Sequence, residues 1–194
     1  VGRDGKVMVY DAEKFDKITE LLPEFDLADA PPQILPNFTM ALNPDETILA
    51  VGASGGVLRL YSTEDWSLKK VLPLHQGNIR SIAFSPDGQL CATGSSDKMV
   101  KILDGQTFEE LEVIEGHGDI VFAVRFSDDG KTFATGGKDA RLRVWSVEGK
   151  KLTPKVKVLA HTFAIKCMQF VGNGNEMITV SQDKTIKFWD LEKM

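Results

Sequence analysis

The sequence predicts an all-β protein built from tandem units of about 42 residues, and three observations predict it. His75, His117 and His161 recur at intervals of 42 and 44 residues. An aspartate follows each one 22 residues later: Asp97, Asp139 and Asp183. Six residues beyond these stand Leu103, Trp145 and Trp189. Chance does not hold such spacings in register through three copies, and self-similarity at this period marks a repeat architecture. Inside each unit the pattern has period two: Ile79, Ser81 and Ala83 alternate with Arg80, Ile82 and Phe84, which reads as a short strand.

The elements follow in chain order. Val1 to Asp11 matches only the closing part of a unit, with Asp4 at its turn. Phe15, Ile18, Leu21, Leu22 and Phe25 fit one face of a helix that Asp11 would cap. However, Phe15 lies four residues beyond Asp11, as Trp66 lies four beyond Ser62 and Phe108 four beyond Asp104. The repeat register therefore favours an outer strand here. The Pro-rich run LADAPPQILP (27–36) absorbs the nine residues by which the first interval, Asp4 to Gly55, exceeds 42, and reads as a surface insertion. A degenerate unit follows, with Gly55 and Tyr61 where the later units have Asp and Trp, and Gln33 about where a His belongs. In the next unit Ser85-Pro86-Asp87-Gly88 has the Pro and Gly placement of a type I turn between strands. Asp128-Asp129-Gly130 and Asn173-Gly174 take its place later. The expected units are 1–22 (partial), 33–74, 75–116, 117–160 and 161–194, each complete one with about four strands in a single repeat domain.

Composition narrows the function. Of 194 residues, 42% are apolar and 26% charged, the balance of an ordinary folded protein rather than a disordered one. The net charge of −5 argues against general attraction to nucleic acid or anionic membrane. No apolar run approaches the ~20 residues of a membrane helix, and no targeting leader is read at the start. Two cysteines make no disulfide framework, so the cytoplasm or nucleus is expected. Cys91 and Cys167 lie in strand patterns and read as buried thiols.

Gly116-His117, Asp139 with Trp145, and Trp189-Asp190 make the chain resemble the WD-repeat β-propeller family over nearly its whole length. That resemblance implies four-stranded blades around a central channel: about four full blades and part of a fifth here, a portion of a seven-bladed ring. Seven blades need about 290 residues at this period, so the rest is expected from a longer chain or from elsewhere in the same ring, with a smaller closed ring as the lesser alternative. The resemblance also implies a polar network that pins each blade, running from indole to hydroxyl to imidazole to carboxylate. Carried over, the network is His117, Thr135, Asp139 and Trp145 in one unit and His161, Thr179, Asp183 and Trp189 in the next. In the unit before them it is His75, Thr93 and Asp97, with Leu103 in place of the indole. Because the His–Asp spacing repeats, it reads as structural, whereas catalytic and metal sites are singular. No catalytic residue, metal or cofactor is expected. Gly52 to Gly56 lacks the Lys-Ser/Thr and the helix of a phosphate loop. Asn37-Phe38-Thr39 matches a glycosylation sequon.

Function then falls to a surface. In the family, partners dock where the His-bearing loops open, and the residue five after the His and the one before the Asp point into the channel mouth. The matching positions are Phe38, Arg80, Phe122 and Lys166, and Arg3, Ser54, Ser96, Lys138 and Gln182. The expectation is a non-catalytic protein–protein scaffold. Arg80, Lys138 and Lys166 would meet an acidic or phosphorylated peptide, and Phe38 and Phe122 would anchor its apolar side chains. Arg3 joins this basic set. RNA binding through the basic mouth is one alternative, and an enzyme completed by blades outside this sequence is another.

Overall fold

Antiparallel meanders account for nearly all regular structure in the computed structural model, which describes residues 4–21, 35–172 and 174–194. The first sheet holds β1 (Val7–Tyr10) and β2 (Lys17–Leu21). The second holds β3 (Asn37–Leu42), β4 (Ile48–Ala53), β5 (Val57–Ser62) and β6 (Leu68–Pro73). The third comprises β7 (Ile79–Phe84), β8 (Leu90–Ser95), β9 (Val100–Asp104) and β10 (Glu110–Ile114). The fourth comprises β11 (Val121–Phe126), β12 (Thr132–Gly137), β13 (Arg141–Glu148) and β14 (Lys151–Leu159). The last has three strands, β15 (Ile165–Val171), β16 (Glu176–Ser181) and β17 (Ile186–Asp190). Among the described residues, then, three sheets carry four strands, the first carries two and the last three.

The strand reading of the first unit holds. β2 occupies the segment with helical periodicity, and Phe15 has φ 58°, beside Trp66 at 58° and Phe108 at 60°. Phe15 N–H and Phe108 N–H both reach back 2.9 Å to the carbonyls of Asp11 and Asp104. One turn type therefore recurs at these strand ends. Leu22, Phe25 and most of the Pro-rich run lie outside the described residues, as do Arg3 and Gln33.

First strands meet in order, β3 with β7, β7 with β11 and β11 with β15, so the sheets stack around a common axis. Apolar clusters fill each interface. Leu58 and Leu60 meet Ile79 and Ile82, Val100 and Ile102 meet Val121 and Val124, and Leu142 meets Ile165 and Met168. Each such buried side chain is worth roughly 1.5–3 kcal/mol. The second strands of the second, third and fourth sheets (β4, β8 and β12) are covered on both faces, so every residue of β8 is buried and small side chains prevail there. A Cβ built on Gly52, Gly94 or Gly136 would lie 2.6, 2.8 or 3.0 Å from Ile79, Val121 or Ile165 of the next sheet. The equivalent residue of the last sheet is Val180, 39% exposed. Cys167, its partner across β15 and β16, is exposed too, which corrects the expectation of a buried thiol. Period two identifies a strand but not which of its faces is covered. Cys91 is buried, and burial pushes its thiol pKa up.

Candidate functional site

The polar network takes three forms. In the last sheet, Trp189 Nε1–H donates to Thr179 Oγ1 (2.8 Å), which bonds His161 Nε2 (2.7 Å), and His161 Nδ1 meets Asp183 (2.9 Å). In the third sheet His75 bridges Asp97 and Thr93, both at 2.9 Å. With Leu103 in the indole position, the Lys101 carbonyl lies 3.4 Å from the Thr93 hydroxyl. Both imidazoles carry their proton on Nδ1, because an ionised carboxylate only accepts.

The fourth sheet departs from this pattern. Arg143, 4% exposed, donates to His117 Nδ1 (2.7 Å), to Asp139 (2.9 Å) and to the Gly116 carbonyl (2.6 Å). A guanidinium only donates, so His117 Nδ1 accepts and Nε2–H points at Thr135 Oγ1, 2.8 Å away. Asp139 is left 3.5 Å from the ring. The Trp145 indole packs on Phe133, centroids 5.5 Å apart, and forms no hydrogen bond with Thr135 among the described residues. The expected indole link is therefore absent here. Arg59, Lys101, Arg143 and Lys187 all stand at this repeat position, a regularity the sequence displays and the motif reading passed over.

Burial lowers the His75 and His117 pKa values, outweighing the neighbouring Asp97 and Asp139. For Asp139 burial acts upward, but the Arg143 guanidinium and the Gly118 N–H, both donating to it, hold the carboxyl well below the usual carboxylate range. In the degenerate unit, buried Arg59 reaches Asn37 Oδ1 (3.1 Å), and Asn37 Nδ2 donates to the Gly5 carbonyl (2.8 Å). The sequon asparagine is thus buried and engaged. Among the described residues no group of three His, Cys, Asp or Glu side chains could hold a metal ion.

The mouth residues share one local device. Register skips between Asn37 and Thr39, Ile79 and Ser81, Val121 and Ala123, and Ile165 and Cys167. Phe38, Arg80, Phe122 and Lys166 each occupy the resulting β-bulge, a device that re-aims a side chain at a sheet end. Across neighbouring sheets they couple in pairs, Arg80 over the Phe38 ring at 4.2 Å and Lys166 over Phe122 at 4.0 Å. Arg80 Nε also donates to Ser96 Oγ (2.8 Å), and Ser54 Oγ meets Asn78 Oδ1 (3.1 Å). Lys138 is engaged by Asp119 at 3.1 Å, an acid that the selection of two positions per unit missed. That selection also missed Phe163, two residues after His161 and 62% exposed. Gln182 N–H bonds the Ala164 carbonyl in the same loop pair (2.9 Å).

Sheets stacked around an axis with a bulge-lined mouth define an arc of a β-propeller. The chain belongs to the WD-repeat family: the family description "WD domain, G-beta repeat" matches residues 66–104, 108–146 and 153–190, more than half of its length. Each matched unit takes in the outer strand of one sheet and the first three of the next, so every repeat stitches two sheets together. Of 1477 matching chains among solved structures, one from "Crystal Structure of Mitotic Checkpoint Complex" aligns with all of this chain at TM-score 0.84 and 21% identity. This chain spans 57% of that one's length. Such a likeness speaks for the fold alone. No curated protein matches in sequence.

Proposed function

We propose that the protein is a non-catalytic interaction scaffold within a multiprotein assembly of the cytoplasm or nucleus, and that its mouth takes an acidic or phosphorylated peptide. One observation carries this reading: four successive bulges present alternating aromatic and cationic side chains, coupled as Phe38–Arg80 and Phe122–Lys166. A cation already laid over a ring loses little side-chain freedom when a carboxylate or phosphate arrives. Lys166 forms no ion pair among the described residues, whereas Lys138 would have to leave Asp119 and ranks behind it. A solved neighbour's place in a checkpoint complex supports an assembly role for a chain of this fold, without naming a partner. The test is binding of acidic and phosphorylated peptides to Arg80→Glu with Lys166→Glu. A loss of at least tenfold, shrinking with salt, is expected; unchanged affinity refutes the reading. Stronger capture of RNA than of peptide, with a steep salt slope, would favour the nucleic-acid alternative.

A further inference from the structure

The outer strands of the third and fourth sheets splay apart and leave a groove of about 460 Å³ on the side of the arc, away from the mouth. Trp145 and Ile114 line it in the apolar middle. Glu112 and Glu115 stand along one wall, on and just after β10, and Lys155 and Lys157 of β14 along the other. None of these four charges forms an ion pair among the described residues, so the walls carry opposite signs that do not neutralise each other. Trp145 is only 6% exposed, yet its Nε1–H has no partner among the described residues, whereas the equivalent Trp189 donates to Thr179. The Trp145 N–H is not among the polar atoms sealed off from solvent without a partner. A nearly buried donor left open to one groove is a place where an incoming acceptor gains a hydrogen bond.

The groove is also held at both ends. Lys150 beside the β13–β14 turn pairs with Asp104 at the end of β9, and Arg143 grips the Gly116 carbonyl (2.6 Å). A site whose width is fixed in advance costs little to order on binding. Both β10 and β14 are outermost in their sheets, so each offers an unpaired backbone edge to an extended chain.

We infer that this groove docks a short extended segment of a partner protein, in which an apolar anchor sits between an acidic and a basic residue. The anchor covers Trp145 and Ile114, and a backbone carbonyl accepts from the Trp145 indole. The acidic residue meets Lys155 and Lys157, and the basic one meets Glu112 and Glu115. Charges of both signs set this segment apart from an all-acidic or all-basic one, and the glutamate wall disfavours nucleic acid. The reading is independent of the mouth.

The probe is a capped Asp-Asp-Phe-Leu-Lys-Lys peptide, with versions that are all-acidic, all-basic or uncharged around the same Phe-Leu pair. The readout is the indole N–H resonance of Trp145, resolved by NMR from those of Trp66 and Trp189. The mixed-charge peptide should move the Trp145 resonance in a saturable way and leave Trp189 in place. Lys155→Glu with Lys157→Glu, both exposed and tolerant of change, should weaken binding at least tenfold. Adding Glu112→Lys and Glu115→Lys should restore it, and Arg80→Glu with Lys166→Glu should leave it unchanged. An unmoved Trp145 resonance, equal binding of all four peptides, indifference to wall-charge reversal, or loss of binding only in the mouth variant would each overturn the inference.

Discussion

Replacing Arg143 with Met should switch which nitrogen of His117 carries the proton while leaving the ring in place. Arg143 makes three charge-assisted hydrogen bonds, to His117 Nδ1, Asp139 and the Gly116 carbonyl. Without it, Nδ1 is free to bear the proton and donate to Asp139, now 3.5 Å away, which is the arrangement His75 and His161 already have. Three bonds are lost and one is regained. At about 1.5 kcal/mol for each bond to a charged group, the net loss is about 3 kcal/mol, near the lower end for breaking a buried ion pair. The apolar Met side chain keeps much of the packing. Nitrogen chemical shifts of the imidazole should report Nε2–H in the parent and Nδ1–H in the variant, and denaturant unfolding should report the energy. A parent His117 protonated on Nδ1 would refute the reasoning, as would a loss below about 1 kcal/mol.

Three further expectations follow from the same contacts. Thr179→Val removes the hydroxyl joining Trp189 to His161 and should cost roughly 2–4 kcal/mol in chemical denaturation, about twice Thr135→Val, whose hydroxyl meets His117 without the indole. His75 and His117 have folded pKa values below the usual 6.5, so the unfolded chain takes up protons first as pH falls. Their stabilisation is complete above about pH 6.5 and is lost as pH falls through the folded values, with a second loss in strong acid as Asp139 and Asp183 titrate. A Tm flat between pH 7.5 and 5 would contradict this. Gly56→Ala, whose new Cβ would stand 1.8 Å from the His75 carbonyl oxygen at φ +77°, should cost more than about 3 kcal/mol in thermal unfolding. Gly55→Ala, at φ +68° with open space around it, should cost only roughly 1–2 kcal/mol.

The repeat period, the strands and the His–Thr–Asp spacing were legible in the sequence because identical units must solve one packing problem repeatedly. The aromatic at the turn after β1, β5 and β9 even decided between helix and strand for residues 15–21. What escaped was set by neighbours. Arg143 looks like an ordinary strand base until burial places it against His117, and only comparison with Arg59, Lys101 and Lys187 singles out the position. Cys167 follows the same pattern as buried Cys91, but its sheet has one uncovered face. Asp119 and Phe163 lie between the repeat positions used to choose mouth residues, so the charge balance of the mouth could not be read from those positions alone.

At three successive interfaces a glycine of the second strand lets the following sheet come so near that even a methyl group would press into it, at 2.6, 2.8 and 3.0 Å. Val180 breaks the series. Whatever body rests on the β15–β17 side must therefore keep a greater distance there or bring a hollow to receive the isopropyl side chain of Val180. A copy of one of the inner sheets would not seat on that side as the inner sheets seat on one another.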